Sequence, residues 1–425
     1  MTSEAEISMI EGIQSYLQEK KFKNLTEVQK KSFVALLENK NSRIVAPTGS
    51  GKTLAYILPV VQYIKSVEWD QLPEGSPMAI VLAPTRELAT QITKVFKEVT
   101  HHAKLRVRQL QGGGAKAPQN KRLKTESFDV LITNPGRLVE YLDRGDIKLD
   151  SLQFLVADEA DQLIAPSFIK EFEKIGKKLA GLPVRIALFS ATEPESLSEF
   201  ITRVFPDKNF ENLTIGGSNV LQKGIETVNI YVGGKQKLEI TELFIKKEAE
   251  GSGIVFLNRK EDAESLFNKL KEIFPSKKFA LLHGDMPQNE RKKNFEKYRK
   301  TGGILVATDI AARGIDLTQL DWVLNYDLPF EAVYYVHRCG RVGRMGKEGR
   351  VYNLVSGKDG AIIARINKAI AAQKALKIKA LEVPQIKAQQ KAKAAKKKAP
   401  VSKVPVIKKT RPQIKPKRTP RYKRK

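Results

Sequence analysis

The feature that most narrows what this chain can fold into is a rhythm. Short apolar runs rich in β-branched residues are each followed by a longer stretch with helical spacing. From Arg43 to Ala191 the runs are "RIVAPT", "AIVLAPT", "DVLITNP", "FLVADEA" and "RIALFSAT". A second series follows with "NIYVGG", "GIVFLN", "KFALLHG", "GILVATD" and "WVLNYDLP", separated by amphipathic stretches such as Glu261 to Phe274. Strands that alternate with crossover helices form parallel sheets, so the expectation is an α/β protein with two tandem parallel-sheet domains. At 425 residues the chain is long enough for two cores and an appendage. The predicted boundaries are 1–205 for the first domain, 206–224 for a hinge of Asn, Gly and Ser without strong periodicity, 225–368 for the second domain, and 369–425 for a basic tail, mostly disordered.

The tail is defined by charge. From Val383 to Lys425 there is no acidic residue, 17 are Lys or Arg, and six prolines from Pro384 to Pro420 interrupt any helix. Such a segment cannot bury enough apolar surface to offset its ordering entropy. Taking those 17 charges from the formal +28 leaves +11 on the rest, so the folded body is basic as well. A polyanionic partner is implied, with nucleic acid ahead of a merely solubilising tail or an anionic membrane surface. Cys339 is the only cysteine, which excludes an internal disulfide and a cysteine-rich zinc site. Glu4 and Glu6 stand where a signal peptide would be basic, and no apolar run reaches the length of a membrane span. A cytoplasmic protein with no membrane contact is the expectation.

The strand "RIVAPT" runs through Thr48 into Gly49-Ser50-Gly51-Lys52-Thr53 and then into an apolar helix. Strand, glycine-rich turn, Lys-Thr and helix are the parts of a phosphate loop, whose backbone N–H groups and helix N-terminus face an anion. Lys52 would neutralise the β and γ phosphates of ATP and Thr53 would hold Mg²⁺. Ala46 stands where the general pattern has its first glycine. The strand "FLVA" ends in Asp158-Glu159-Ala160-Asp161, at the sheet edge where ligands of α/β proteins bind. There Asp158 can hold Mg²⁺ through water and Glu159 can orient and deprotonate the attacking water. Taken alone, two acids after a strand are better read as caps of the next helix; coupled to the loop at Lys52 they point to the nucleotide site.

These residues, with others in the same order, resemble the DEAD-box family of ATP-dependent RNA helicases of superfamily 2, over about Phe22 to Gly346. The resemblance implies two RecA-like domains, ATP and Mg²⁺ as cofactors, RNA as partner, and a monomer. It also implies roles. Phe22 stacks on adenine and Gln29 reads its edge. Thr85 and Arg86 of "PTRELA", Gly113 beside Gly112, and Gly136 and Arg137 of "NPGR" grip the RNA backbone in the first domain, as Arg291 and Thr308 do in the second. Ser190 and Thr192 of "SAT" couple the nucleotide site to domain closure, together with Asp161 and His337. Gly314 and Asp316 of "ARGID" meet the ribose and γ-phosphate region. In "HRCGRVGR", Arg341 and Arg344 match arginine fingers, which make hydrolysis depend on closure because a second domain delivers them. Cys339 falls at a variable position of this motif and is read as packing. Three departures stand out: Leu25 and Glu27 replace prolines common in the adenine segment, Asn134 replaces the usual threonine before "PGR", and Glu140 stands where aspartate is frequent.

The function so implied is ATP-driven local unwinding of RNA duplexes or remodelling of RNA–protein complexes, with the tail reaching ribosomal or other ribonucleoprotein targets. Two rivals remain at this stage: a DNA translocase of the same superfamily, and an RNA chaperone or annealing scaffold with a weak ATPase. Intact Lys52, Glu159, Arg341 and Arg344 speak against the scaffold.

Overall fold

A computed structural model describes residues 8–67, 72–110, 126–164, 166–216, 224–233, 236–312, 320–330, 332–343, 348–357, 359–370 and 379–380. The first domain runs α1 (Glu11–Glu19), α2 (Glu27–Leu37), β1 (Asn41–Val45), α3 (Lys52–Ser66), β2 (Ala79–Leu82), α4 (Arg86–Ala103), β3 (Val107–Gln109), β4 (Val130–Thr133), α5 (Pro135–Asp143), β5 (Phe154–Ala157), α6 (Ala160–Leu163), α7 (Pro166–Leu179), β6 (Arg185–Ser190), α8 (Glu195–Val204) and β7 (Phe210–Thr214). The second runs β8 (Ile225–Tyr231), α9 (Lys237–Lys247), β9 (Gly253–Leu257), α10 (Lys260–Ile273), β10 (Phe279–Leu282), α11 (Gln288–Thr301), β11 (Ile304–Thr308), α12 (Asp309–Ala312), β12 (Trp322–Asn325), α13 (Ala332–Cys339), β13 (Gly349–Val355), α14 (Gly360–Ile370) and β14 (Lys379–Ala380).

Each domain is built on a seven-stranded sheet, in the orders β3-β4-β2-β5-β6-β1-β7 and β10-β11-β9-β12-β13-β8-β14. The two orders are the same permutation, so β8 occupies in the second sheet the place of β1 in the first, and β12 that of β5. All pairings are parallel, and β2, β4, β5 and β6 are buried along their whole length, as sheets covered on both faces require. Successive residues of one strand serve opposite cores: Ala79 and Val81 of β2 pack with Phe96, Phe154 and Phe189, while Ile80 and Leu82 pack with Leu131, Phe172 and Leu188. The second core gathers Ile254, Phe256, Leu305, Val323 and Val351. Cys339 lies in it with its thiol pushed up to about 12 by burial, so it packs and is no reactive thiolate. No helix among the described residues is long and apolar enough to cross a membrane.

Two predicted boundaries move. The hinge placed at 206–224 contains β7, which pairs along Asn41–Val45 and so belongs to the first sheet. An edge strand with one half-exposed face, reading "FENLT", carries no apolar run to announce it. Likewise Lys379–Ala380, assigned to the tail, pairs with Val228 and Asn229 of β8 and closes the edge of the second sheet. The basic segment beyond it lies outside the described residues.

Candidate active site

The phosphate loop leaves β1 and enters α3 through Gly51, whose φ of 93° is left-handed and therefore suited to glycine. A Cβ at Gly51 would meet Gln29 Nε2 at 2.5 Å. That close approach joins the adenine segment to the loop. Thr26 caps α2 in a reciprocal capping box with Gln29: the Gln29 N–H donates to Thr26 Oγ1 at 3.4 Å and the Thr26 N–H to Gln29 Oε1 at 2.8 Å, while Gln29 Nε2 donates to the Gly51 carbonyl at 3.3 Å. Phe22 stays about half exposed beside Tyr16, a ring face open for stacking. Lys52 Nζ is held by the carbonyls of Ala46 and Pro47 at 2.7 and 2.9 Å, so its charge stands over the loop.

At the end of β5, Asp158 is buried. Its Oδ1 accepts the Glu159 N–H at 2.8 Å and its Oδ2 accepts the Tyr56 hydroxyl at 2.9 Å. Burial and then the neighbouring charge of Glu159 push its carboxyl up to about 6, against a smaller pull from Lys52. Glu159 itself adopts φ 49°, ψ 48°, a left-handed conformation that costs a residue with a Cβ about 1–2 kcal/mol. Strain of this kind collects where geometry serves function. Its Oε2 is buried without a hydrogen-bond partner among the described residues.

Asp161 links the two domains. Its Oδ2 accepts Thr192 Oγ1 at 2.6 Å and the Thr192 N–H at 3.1 Å within the first domain, and lies 3.0 Å from His337 Nε2 of the second. Burial alone would raise this carboxyl, but the charge and hydrogen bond of His337, joined by the Thr192 hydroxyl, hold it down at about 2. The residues predicted to couple nucleotide and closure are thus brought into one buried cluster, with Ser190 at its side through the Thr192 N–H at 3.2 Å. A second bridge sets Arg291 Nη2 3.4 Å from Glu87 Oε2, joining the first turns of α4 and α11. Closest of all is Gly340, where a Cβ would stand 2.5 Å from Thr48 Oγ1 of the phosphate loop. The finger segment therefore lies directly against that loop, with Arg341 buried.

Sequence reasoning passed over the neighbouring Arg338, which is 1% exposed and uses all five of its N–H donors. Nε and Nη2 form a fork on Asp309 at 2.6 Å each. Nη2 also reaches Asn258 Oδ1 at 2.9 Å, and Nη1 reaches Asn325 Oδ1 at 3.0 Å and the Asp327 carbonyl at 2.6 Å. One guanidinium so ties α13, which carries His337, to the ends of β9 and β12 and to Asp309, which follows Thr308. Only its place inside "HRCGRVGR" could have flagged it.

The predicted RNA contacts lie at helix starts and strand ends. Thr85 caps α4 by accepting the Leu88 N–H at 3.2 Å, and Asn134, in place of threonine, caps α5 by accepting the Arg137 N–H at 2.9 Å. The cap survives that departure from the family pattern. Arg137 is ion-paired with Glu140 one turn on, so that second departure also has a partner. Gly136 sits in the first turn of α5 and Thr308 at the end of β11. Gly113, Gly314, Asp316 and Arg344 lie outside the described residues.

The DEAD/DEAH box helicase family matches residues 26–200, and the helicase conserved C-terminal domain matches residues 235–346. ATP-dependent RNA helicase RhlB of Shewanella amazonensis is 35% identical over 350 residues, which cover 81% of this chain and 78% of that protein. DEAD-box ATP-dependent RNA helicase 39 of Arabidopsis thaliana is 32% identical, with 88% of this chain covered but only 62% of the longer relative. Among solved structures, S. cerevisiae Dbp5 bound to RNA and ADP BeF3 superposes with a TM-score of 0.76 at 25% identity, covering 92% of this chain and 97% of that one. With the acid motif of one sheet locked to the histidine of the other, and with relatives of this kind along most of its length, the chain belongs to the DEAD-box family of ATP-dependent RNA helicases.

Proposed function

We propose that this chain hydrolyses Mg²⁺-bound ATP in the cleft between its two sheets, and that closure of the cleft on RNA separates short duplexes or displaces bound protein. The observation that carries this reading is the contact of His337 with Asp161, three residues from Asp158 in the same motif. Closure and the nucleotide site share one buried cluster. RNA bridging both domains and ATP bridging the phosphate loop and the finger segment favour the same closed state, which is positive coupling between two sites.

The residues present fit a divalent cation. Asp158 is raised by burial and by the charge of Glu159 more than the charge of Lys52 lowers it, so the pair of acids leaves negative charge that a divalent cation would offset. No cluster of three or more metal-ligating side chains occurs among the described residues. That suits Mg²⁺, which keeps waters and binds chiefly through phosphates with one or two protein groups, here Thr53 and Asp158. When bound it would neutralise charge on the β and γ phosphates. Glu159 holds and deprotonates the attacking water, Lys52 and Arg341 offset phosphate charge, and Gln29 relays the presence of adenine to Gly51.

The direct test is ATP hydrolysis at moderate salt with single-stranded RNA, with matched DNA, and with neither. Strong stimulation by RNA alone is expected, because contacts to 2′-hydroxyls vanish in DNA. Equal stimulation by DNA would replace this reading with that of a DNA translocase, and tight RNA binding without hydrolysis would replace it with a scaffold.

Closure has a steric requirement at Gly340. Gly340→Ala places a methyl group against Thr48 and is expected to lower RNA-stimulated hydrolysis by about 10- to 100-fold, since displacements near 1 Å cost that much in an aligned site. Adding Thr48→Ala should recover part of the loss, as steady-state rates of the double variant would show. No loss in Gly340→Ala would mean that the finger segment does not seat on the phosphate loop during turnover.

A further inference from the structure

Tyr56 lies on α3 one turn beyond Thr53 and is fully buried. Its ring packs against Phe189 and Phe96 at centroid distances of 5.1 and 6.3 Å, which would satisfy a phenylalanine equally well. The hydroxyl is what needs a reason, because a buried phenol oxygen is costly unless it is hydrogen-bonded. It donates to Asp158 Oδ2 at 2.9 Å. Tyr56 thus bonds directly to one of the two residues assigned to the cation and lies one helical turn from the other.

The direction of the bond follows from what each group can do. An ionised carboxylate only accepts, so the Tyr56 O–H donates to Asp158. That bond fixes the direction in which Oδ2 faces. It also pins the Asp158 carboxylate at both oxygens, since Oδ1 already accepts the Glu159 N–H. We propose that Tyr56 is a positioning residue for the divalent cation, acting through Asp158 and itself touching neither cation nor nucleotide. The inference rests on the reading of Thr53 and Asp158 as the protein's share of the Mg²⁺ site. Groups that orient metal ligands in this way commonly change metal affinity by about 10–100-fold when removed.

The experiment uses the full chain as wild type, Tyr56→Phe and Asp158→Asn. Binding of a fluorescent ATP analogue is measured across a Mg²⁺ titration and in EDTA, alongside the thermal midpoint. Tyr56→Phe keeps the ring and should raise the Mg²⁺ concentration for half-maximal nucleotide binding about tenfold or more, with EDTA affinity and thermal midpoint close to wild type. Supplying excess Mg²⁺ should then restore hydrolysis in Tyr56→Phe. If Asp158→Asn shifts the Mg²⁺ requirement and Tyr56→Phe does not, the phenol is packing only and the proposal is overturned while the cation site stands. If neither variant shifts it, the assignment of the cation to Thr53 and Asp158 fails, and the proposal with it. A lowered thermal midpoint in Tyr56→Phe with an unchanged Mg²⁺ requirement would likewise mark a purely structural role.

Discussion

Glu159→Gln slows ATP hydrolysis by about 10²–10⁴-fold, the range supplied by a positioned general base, while ATP and RNA still bind. The amide matches the carboxylate in shape, so the left-handed turn at φ 49° is retained, and the change removes only basicity and charge. Losing that charge also relieves the repulsion that raises Asp158, so the variant should be no less stable than wild type. With hydrolysis blocked but His337, Asp161 and Gly340 untouched, the closed state should persist and RNA should dissociate slowly in the presence of ATP. Single-turnover hydrolysis and RNA dissociation rates measure the two halves of this expectation. Hydrolysis within a fewfold of wild type would mean that the attacking water is held elsewhere.

Arg338→Lys destabilises the second domain by roughly 1–3 kcal/mol, the usual cost of leaving buried hydrogen-bonding groups unsatisfied. An ammonium has three donors and no planar fork, so it cannot serve Asp309, Asn258, Asn325 and the Asp327 carbonyl together. Asn325 is buried and its desolvation is then uncompensated, while Asp309, Asn258 and Asp327 are partly exposed. Because α13 carries His337 and leads into Gly340 and Arg341, the same change should also depress RNA stimulation of the ATPase below what the loss of folded protein explains. Denaturant unfolding and RNA-dependent rates at a temperature where the variant remains folded separate the two effects. A loss under about 1 kcal/mol would show that the fork on Asp309 is replaceable.

Much of the site was legible because its parts are local. The turn from Gly49 to Thr53 needs glycine at Gly51, lysine and a hydroxyl within a few residues, and the acids from Asp158 to Asp161 must follow a buried strand. Both constraints act over one loop, so they leave a pattern in consecutive residues. Asn134 shows the limit of reading a departure from sequence alone, since the structure makes it the cap of α5, a role asparagine fills as well as threonine. The strands β7 and β14 were missed for the opposite reason. Each is an edge element whose identity comes from its partner, Asn41–Val45 for one and Val228–Asn229 for the other, and backbone pairing leaves no mark on side-chain type.

By itself the sequence determined two parallel-sheet domains, the phosphate loop and the acid motif, because strand–helix alternation and loop chemistry are properties of neighbouring residues. Only the tertiary structure decided which groups meet across the cleft and inside the second domain. His337 and Asp161 are 176 positions apart, and Arg338 and Asn258 are 80 apart. Nothing in either local pattern encodes the other. The first pair meets where the two domains face each other, and the second because β9 and β12 lie side by side in one sheet, so that the residues at their carboxyl ends share a site.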